Sequence, residues 1–319
     1  MTAAPALLCT DWFGQHYAER LRAIAPALTI VPLVGEGPVP EDDLDRVDAF
    51  FFSADCYPSR TLALLKAGLA APNLRWLHTF SAGTDHPIFG QFRDRGVRIT
   101  TSSGANAPPI ARTVMLYLLA LSRDVRRLLR DQDAHVWDPQ PFDDIDGKTI
   151  GVVGMGPIAR EVIRLATAFG MRPLGMRRAV LGDEPCETWT LDRLPELAAS
   201  VDVVVVALPL TEDTRGIISA AVIEAMAPHA VFVNVGRGDL VDEPALTAAL
   251  ADGRLGGAGL DVFATEPLPA DSPLWDLPNV IITPHNSANT GSSGVAAAEL
   301  FLANLARYVV GEPLHNERS

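Results

Sequence analysis

Cysteine is scarce in this chain of 319 residues, which contains only Cys9, Cys56 and Cys186. The three lie far apart and form no Cys-x-x-Cys pair, so the sequence offers neither a disulfide framework nor a thiolate zinc site. We therefore expect no bound metal and a reducing compartment, with the cytoplasm as the default.

Basic residues are also in the minority, with 26 Lys and Arg against 39 Asp and Glu, which gives a formal net charge of −13. Such a balance argues against a nucleic-acid partner, because phosphate backbones are bound by clustered cations. No uninterrupted apolar stretch approaches the ~18 residues of a membrane helix, and the N-terminus lacks the pattern of a signal peptide. We expect neither a nucleic acid nor a membrane as partner.

Short apolar runs that alternate with helical patterns are abundant. Five such runs occur up to about Ser102, from PALLCT to GVRITTS, and six more lie between TIGVVG and NVIITPH. The second set includes four consecutive valines, Val203–Val206, which is typical of a strand buried on both faces. The alternation predicts an α/β protein with parallel sheets, and the length predicts about two domains.

A long amphipathic pattern follows the first block. We predict a single helix over Ile110–Gln132 that bridges the two domains, and a last helix around Val295–Val310 that packs back on the first domain.

The segment from Gly154 to Ala159 (GMGPIA) matches the GxGxxG/A fingerprint of dinucleotide binding. It lies between a predicted strand and a predicted amphipathic helix, which strengthens the match. Gly154 would allow a tight turn, and Gly156 would let the backbone approach a pyrophosphate at the helix N-terminus. We assign Met155, Pro157 and Ile158 to the same turn.

The next strand ends at Arg177 and Arg178, with neither Asp nor Glu at the position that reads the adenosine ribose. A carboxylate there would bind the ribose hydroxyl, whereas arginine favours a 2′-phosphate. With no carboxylate present, the pattern predicts NADP as the preferred cofactor over NAD, by one to two orders of magnitude if both arginines contact the phosphate. The alternative is that two surface arginines simply follow a strand.

Three later strands are each followed at once by charged or titratable residues. These segments are NVGRG with Arg237, DVFATEP with Asp261 and Glu266, and TPHN with His285. Because ligands lie at the carboxyl ends of parallel strands, the three segments should converge on one cleft. An arginine can bind a carboxylate, a histidine can transfer a proton, and a glutamate can orient the imidazole and favour its charged form.

With these motifs, the chain resembles the D-isomer-specific 2-hydroxyacid dehydrogenases. The resemblance is strongest in four segments, which are GKTIGVVGMGPIAR, ALPLTEDTRGII, MAPHAVFVNVGRGDLVDEPALTAAL and GAGLDVFATEPLPADSPLWDLPNVIITPH. The resemblance implies two doubly wound, Rossmann-like parallel-sheet domains. A flavodoxin-like substrate domain would comprise residues 1–102, completed by residues 287–319. An NAD(P)-binding domain would comprise residues 103–286 and form a homodimer.

The resemblance also implies roles for individual residues. Arg237 would bind the substrate carboxylate, His285 would be the acid/base, and Glu266 would be its partner, while Asp261 would lie near the nicotinamide carboxamide. The substrate-binding residues would be Ser81, Ala82 and Gly83, with Arg237 and His285. Further cofactor contacts are expected from Leu208, Pro209, Thr214, Val235, Gly236, Arg237 and His285.

The function that we expect is NAD(P)-dependent hydride transfer between nicotinamide and a small 2-oxoacid, of the glyoxylate or hydroxypyruvate type. Two alternatives stay open at this stage. One is a corepressor-like protein of the same fold that senses dinucleotides, and the other is a phosphite-type dehydrogenase.

Overall fold

The computed structural model describes residues 5–84 and 86–318, and the chain divides into two compact units. The first unit consists of Met1–Asn106 with Thr290–Ser319, and the second consists of Ala107–Asn289. The boundaries predicted from the sequence, after residues 102 and 286, lie a few residues earlier.

The first unit contains five parallel strands that correspond to the five apolar runs of the first block. They are β1 (Ala6–Thr10), β2 (Thr29–Leu33), β3 (Ala49–Phe52), β4 (Trp76–Thr79) and β5 (Arg98–Thr101). Their order is β2-β1-β3-β4-β5, which is the flavodoxin-like order. The helices of this part are α1 (Asp11–His16), α2 (Ala18–Ile24), α3 (Glu41–Leu44), α4 (Thr61–Ala70) and α5 (Ile88–Asp94).

The second unit is built on a parallel sheet of seven strands. They are β6 (Thr149–Val153), β7 (Arg172–Arg177), β8 (Thr188–Thr190), β9 (Val203–Val206), β10 (Val231–Asn234), β11 (Gly257–Leu260) and β12 (Val280–Ile282). The order β8-β7-β6-β9-β10-β11-β12 reverses between β6 and β9, as in a Rossmann fold. The four valines of β9 are all buried. The predicted fold class is confirmed.

Our prediction of a single bridging helix over Ile110–Gln132 is wrong. The segment forms α6 (Ala107–Ser122) and α7 (Val125–Asp133), and the helix breaks at Asp124, whose φ is 45°. After glycine, aspartate is among the residues that adopt this left-handed conformation more often than most. A guanidinium nitrogen of Arg126 donates to the carbonyl of Val280 at 2.8 Å, which fixes the new direction of α7. The remaining helices of the second unit are α8 (Pro157–Ala168), α9 (Leu194–Ser200), α10 (Ala220–Ala225) and α11 (Glu243–Ala251).

The chain returns to the first unit through α12 (Gly291–Val310) and a C-terminal strand, Glu317–Arg318. Phe301 of α12 stacks on Phe51 and on Trp76, with ring centroids 4.3 and 5.4 Å apart. The C-terminal strand pairs antiparallel with β5. Like β8, it was not predicted, because two or three residues are too few to show an alternating pattern.

By length and composition alone, α12 is the one helix in the described part of the chain that could cross a membrane. In the structure Phe301, Leu302 and Leu305 of this helix pack into the core of the first unit, while Glu299 forms an ion pair with Arg20. The helix therefore has the features of a core helix.

Candidate active site

The turn between β6 and α8 requires glycine at position 154. Gly154 has a φ of 121°, and a Cβ atom there would lie 2.7 Å from the carbonyl oxygen of Ala207. Its amide donates to the carbonyl of Met176 at 2.9 Å, which ties the ends of β6 and β7 together. Glycine alone accommodates this conformation without a steric penalty.

The N-terminus of α8 has the exposed backbone that an anion site needs. Gly156 is the N-cap residue, no side chain caps the helix, and a Cβ atom on Gly156 would meet nothing within 4 Å. Pro157 has no amide proton, so the helix presents the amide of Ile158 together with the positive end of its dipole, while Ala159 is buried. These residues fit a bound pyrophosphate.

The loop after β9 contains Leu208, Pro209 and Thr214, three of the residues that we assigned to cofactor binding. The Thr214 hydroxyl donates to the carbonyl of Pro209 and accepts from the amide of Thr211, both at 2.8 Å, so Thr214 shapes the loop. A Cβ atom on Gly236 would lie 2.9 Å from the carbonyl oxygen of Leu208. This close approach brings the loop after β10 against the loop after β9.

Two other assigned positions have buried side chains. Met155 and Val235 are both at most 8% exposed, and the Met155 methyl group fills the space beside Gly175. Both residues are therefore largely packed inside the second unit, and their contact with a cofactor stays a prediction.

The two arginines at the end of β7 already have carboxylate partners. A guanidinium nitrogen of Arg177 lies 2.7 Å from Glu184 and 3.1 Å from Asp183, and Arg178 lies 2.8 Å from Asp213. Our prediction that no carboxylate is present at this position is wrong. The sequence pattern considered only the residues that end the strand, whereas residues 183 and 184 return to it from the following loop.

The turn that carries Arg237 is closed by a side chain that the sequence analysis did not single out. Asn234, the last residue of β10, donates to the carbonyl of Arg237 at 2.9 Å and accepts from the amide of Gly236 at 3.0 Å. The guanidinium of Arg237 donates to the carbonyl of Gly236 at 2.7 Å. A Cβ atom on Gly238 would lie 1.9 Å from the backbone of Phe263, so this turn packs directly on the loop after β11.

Asp261 anchors the segment that carries His285. Its buried carboxylate accepts hydrogen bonds from the Thr283 hydroxyl at 2.5 Å, the Asn286 amide at 3.0 Å, and both the amide and hydroxyl of Ser287. These donors fix the backbone on both sides of His285. A contact between Asp261 and the nicotinamide carboxamide stays a prediction.

Tyr117 of α6 extends this network. Its ring is fully buried beside Gly259, where any Cβ atom would clash with it, and its hydroxyl is hydrogen-bonded to the Thr283 hydroxyl. Burial raises the pKa of the Tyr117 phenol well above its usual value. A neutral tyrosine thus supports the Thr283–Asp261 contact.

Two of the three predicted catalytic residues, His285 and Glu266, are in direct side-chain contact. Nδ1 of His285 lies 2.7 Å from Oε2 of Glu266, and the other Glu266 oxygen accepts from the Phe263 amide at 3.0 Å. His285 has a φ of 50°, and its amide donates to the carbonyl of Asp261 at 2.8 Å. Its side chain is 45% exposed, so Nε2 is the ring nitrogen that can exchange a proton with a ligand.

The predicted substrate loop lies in the first unit, directly after β4. The Ser81 hydroxyl donates to the carbonyl of Gly83 at 2.8 Å, and the Ser81 amide donates to the Thr79 hydroxyl at 3.2 Å. The Ser102 amide donates to the carbonyl of Ser81 at 3.0 Å. The loop is thus held by its own hydrogen bonds, and substrate binding by Ser81, Ala82 and Gly83 stays a prediction.

His78 of β4 is fully buried and contacts the hydroxyls of Thr100 and Ser102 at 2.7 and 3.1 Å. Burial lowers the pKa of His78 to about 3. The residue is therefore neutral at physiological pH and has a packing role.

No group of three or more His, Cys, Asp or Glu side chains that could hold a metal ion occurs within residues 5–84 and 86–318. Cys9 and Cys56 are buried, and burial raises the pKa of both thiols.

The comparisons with known proteins agree with this geometry. The family model for the NAD binding domain of D-isomer specific 2-hydroxyacid dehydrogenases matches residues 115–287. The chain is 36% identical over 254 residues to glyoxylate/hydroxypyruvate reductase B of Pectobacterium carotovorum, covering 77% of this chain and 79% of that protein.

Two solved structures extend the similarity to the whole chain. A D-isomer specific 2-hydroxyacid dehydrogenase family protein from Aeromonas salmonicida is 31% identical, with a TM-score of 0.82 and 99% of both chains covered. A member of the same family from Xanthobacter autotrophicus, solved with NADPH and MES, is 29% identical, with a TM-score of 0.79, covering 100% of this chain and 98% of that chain. The chain therefore belongs to the D-isomer specific 2-hydroxyacid dehydrogenases, which are NAD(P)-dependent oxidoreductases.

Proposed function

We propose that the protein reduces a small 2-oxoacid of the glyoxylate or hydroxypyruvate type to the D-2-hydroxyacid, with NADPH favoured over NADH. The observation that carries this proposal is the 2.7 Å contact between His285 and Glu266, on the same sheet edge as the Gly154 turn and the Arg237 turn. The Pectobacterium relative is named a glyoxylate/hydroxypyruvate reductase, and the Xanthobacter structure contains NADPH, which supports the choice of substrate and cofactor.

The cofactor would be held by the amides at the start of α8 and by the backbone of the loops after β9 and β10. When it is bound, its nicotinamide supplies the hydride. Side chains of this protein would orient the oxoacid and supply the proton.

Arg237 would bind the substrate carboxylate and polarise the keto group. The planar guanidinium matches a carboxylate through two parallel hydrogen bonds. Asn234 and Gly238 fix the turn on which Arg237 lies, so the backbone that carries this side chain is in place before the substrate binds.

His285 would supply the proton. The Glu266 carboxylate accepts from Nδ1–H and thereby orients the ring, which leaves Nε2–H to donate to the substrate oxygen. As the carbonyl carbon gains hydride, the oxygen gains this proton, and the product is the hydroxyacid. Asp261 keeps the backbone of His285 in place through the amides of Asn286 and Ser287.

Other expectations belong to the same proposal. Ser81, Ala82 and Gly83 would bind the substrate carboxylate, and two copies of the chain would associate through the dinucleotide-binding domain in the cytoplasm. A 2-oxoacid would be the small-molecule partner, with no nucleic acid or membrane involved.

The proposal is tested by assaying a panel of 2-oxoacids with NADPH and with NADH, alongside the reverse reaction with D- and L-2-hydroxyacids and with phosphite. We expect the highest kcat/KM with glyoxylate or hydroxypyruvate, and oxidation of D-hydroxyacids only. Phosphite oxidation without 2-oxoacid reduction would contradict the proposal, as would dinucleotide binding with no turnover of any compound.

A further inference from the structure

The adenosine end of the proposed cofactor site contains a cluster of charges that is already paired. Arg177, at the end of β7, lies 2.7 Å from the Glu184 carboxylate and 3.1 Å from that of Asp183. Arg160, in the first turn of α8, donates to the other Asp183 oxygen at 2.7 Å and to the Asp183 carbonyl at 3.0 Å. The Asp183 carboxylate therefore bridges two guanidinium groups.

The two carboxylates of this cluster are held differently. Glu184 is 4% exposed at its side chain and accepts from the amides of Leu181 and Gly182, each at 2.8 Å. The Leu181 amide and the Arg177 guanidinium help to hold the pKa of Glu184 at about 2. Glu184 is thus an integral part of the loop fold.

Asp183 has no comparable anchor. Its side chain is 60% exposed, and its carboxylate hydrogen-bonds only to the two arginines within the described part of the chain. A loop carboxylate with these contacts can move away without breaking the core of the loop.

The bridging position of Asp183 is one that suits a phosphate. Two guanidinium groups on one anion give several charge-assisted hydrogen bonds, which is how phosphate groups are commonly bound. The position is beside the helix N-terminus that fits the pyrophosphate, at the end of the strand that reads the adenosine ribose. With Asp183 and Glu184 in place, the charges of Arg160 and Arg177 are neutralised.

We propose that Asp183 is an internal competitor of the cofactor 2′-phosphate and thereby sets the preference between NADP and NAD. This inference rests on the proposed function, because it requires a dinucleotide whose adenosine ribose lies at the end of β7. NADPH must displace the Asp183 carboxylate from Arg160 and Arg177, whereas NADH brings a neutral hydroxyl that does not compete. The parent protein then discriminates by less than about tenfold, below the one to two orders of magnitude that unopposed arginines would give.

The test is a calorimetric titration of the full-length protein with 2′,5′-ADP and with AMP, which differ only in the 2′-phosphate. We expect Asp183→Asn to tighten 2′,5′-ADP binding by about tenfold, since one charge is removed beside the phosphate, and to change AMP binding by less than about twofold. Glu196→Gln is the matched control. It removes one carboxylate from an exposed ion pair with Arg193 in the same unit and should change neither affinity.

A second variant tests whether Arg160 is the group that Asp183 occupies. Adding Arg160→Ala to Asp183→Asn should abolish most of the gain for 2′,5′-ADP and leave AMP binding as it was. The inference is overturned if Asp183→Asn leaves the ratio of the two affinities unchanged, or if the gain survives without Arg160. Failure of the parent to bind AMP, 2′,5′-ADP and NADH alike would contradict the dinucleotide site itself, and the inference with it.

Discussion

Two regions at the carboxyl edge of the seven-stranded sheet contain charged residues at the ends of strands, yet they are organised in opposite ways. Around His285, the buried polar groups of Asn234 and Asp261 bond to backbone and hydroxyl groups, and one imidazole–carboxylate pair remains at the surface. Around Arg177, the charged side chains bond to one another.

Residue type at a strand end therefore predicts chemistry only when the partners of that residue are known. At the His285 region, hereafter the catalytic edge, hydrogen bonds hold the backbone and leave Nε2 available. At the Arg177 region, hereafter the ribose edge, an arginine that would attract a phosphate is opposed by carboxylates of the next loop. The catalytic edge is therefore expected to govern turnover, and the ribose edge to govern cofactor choice.

The largest effect is expected from His285→Ala, which removes the proposed proton donor at the catalytic edge. We expect kcat for 2-oxoacid reduction to fall by about 10²–10⁴-fold, the usual contribution of a positioned acid or base. The dissociation constant of NADPH, measured by fluorescence titration, should rise by far less than kcat falls, because His285 is only one of many expected cofactor contacts. A variant as active as the parent would remove His285 from the catalytic role.

Arg237→Lys should come next. A lysine cannot reproduce the two-pronged contact with a carboxylate, so we expect kcat/KM for the oxoacid to fall by about 10²–10³-fold while NADPH binding is retained. Arg215→Lys is a suitable control, because Arg215 is exposed and is paired with Asp239 near the same turn. Equal kinetics in both variants would contradict a role for Arg237 in substrate binding.

Tyr117→Phe tests whether the catalytic edge depends on the hydrogen bond between the buried Tyr117 and Thr283. Loss of the hydroxyl from the Thr283–Asp261 network should lower the free energy of unfolding by about 1–2 kcal/mol. It should also lower kcat by several-fold, with little change in KM for NADPH.

Tyr308→Phe provides the control for this prediction. The Tyr308 hydroxyl contacts the Asp48 carboxylate at 3.2 Å in the first unit, and burial raises its pKa as it does that of Tyr117. The control should lower stability without lowering kcat. An equal loss of kcat in the two variants would show that Tyr117 has no specific positioning role.

The smallest effects concern the ribose edge. Arg178 and its partner Asp213 are each about three-quarters exposed, so Arg178→Ala should change the NADPH/NADH ratio of kcat/KM by less than about twofold. Arg177→Ala should lower that ratio by about three- to tenfold, because Arg177 is less exposed and is fixed by Glu184. The reverse order of effects would assign the 2′-phosphate to Arg178.

Much of the framework could be predicted from the sequence because it depends on local patterns. The four valines of β9, the glycines at 154 and 156, and the charged segments after β10, β11 and β12 are all visible as short motifs. Their convergence follows from the rule that parallel strands carry ligands at one edge.

The remaining features depend on contacts between residues that are distant in sequence or on single backbone angles. The break at Asp124 follows from a left-handed φ within an otherwise helical pattern. The Tyr117–Thr283 contact joins a residue on α6 with one that follows β12. The one sign of it in the sequence is Gly259, which leaves room for the Tyr117 ring. The two carboxylates that follow Arg177 within seven residues were a signal that the sequence analysis passed over.

The separation of the two edges is tested most directly by a double-mutant cycle with His285→Ala, Asp183→Asn and their combination. For each protein, kcat for oxoacid reduction at saturating NADPH and the dissociation constant of 2′,5′-ADP are measured together. If the edges act independently, the combined variant has the reduced kcat of His285→Ala and the tighter 2′,5′-ADP binding of Asp183→Asn. For each of the two measured quantities, the free-energy change in the combined variant then equals the sum of the changes in the single variants. The account is contradicted if Asp183→Asn lowers kcat as much as His285→Ala does, or if His285→Ala abolishes the gain in 2′,5′-ADP binding.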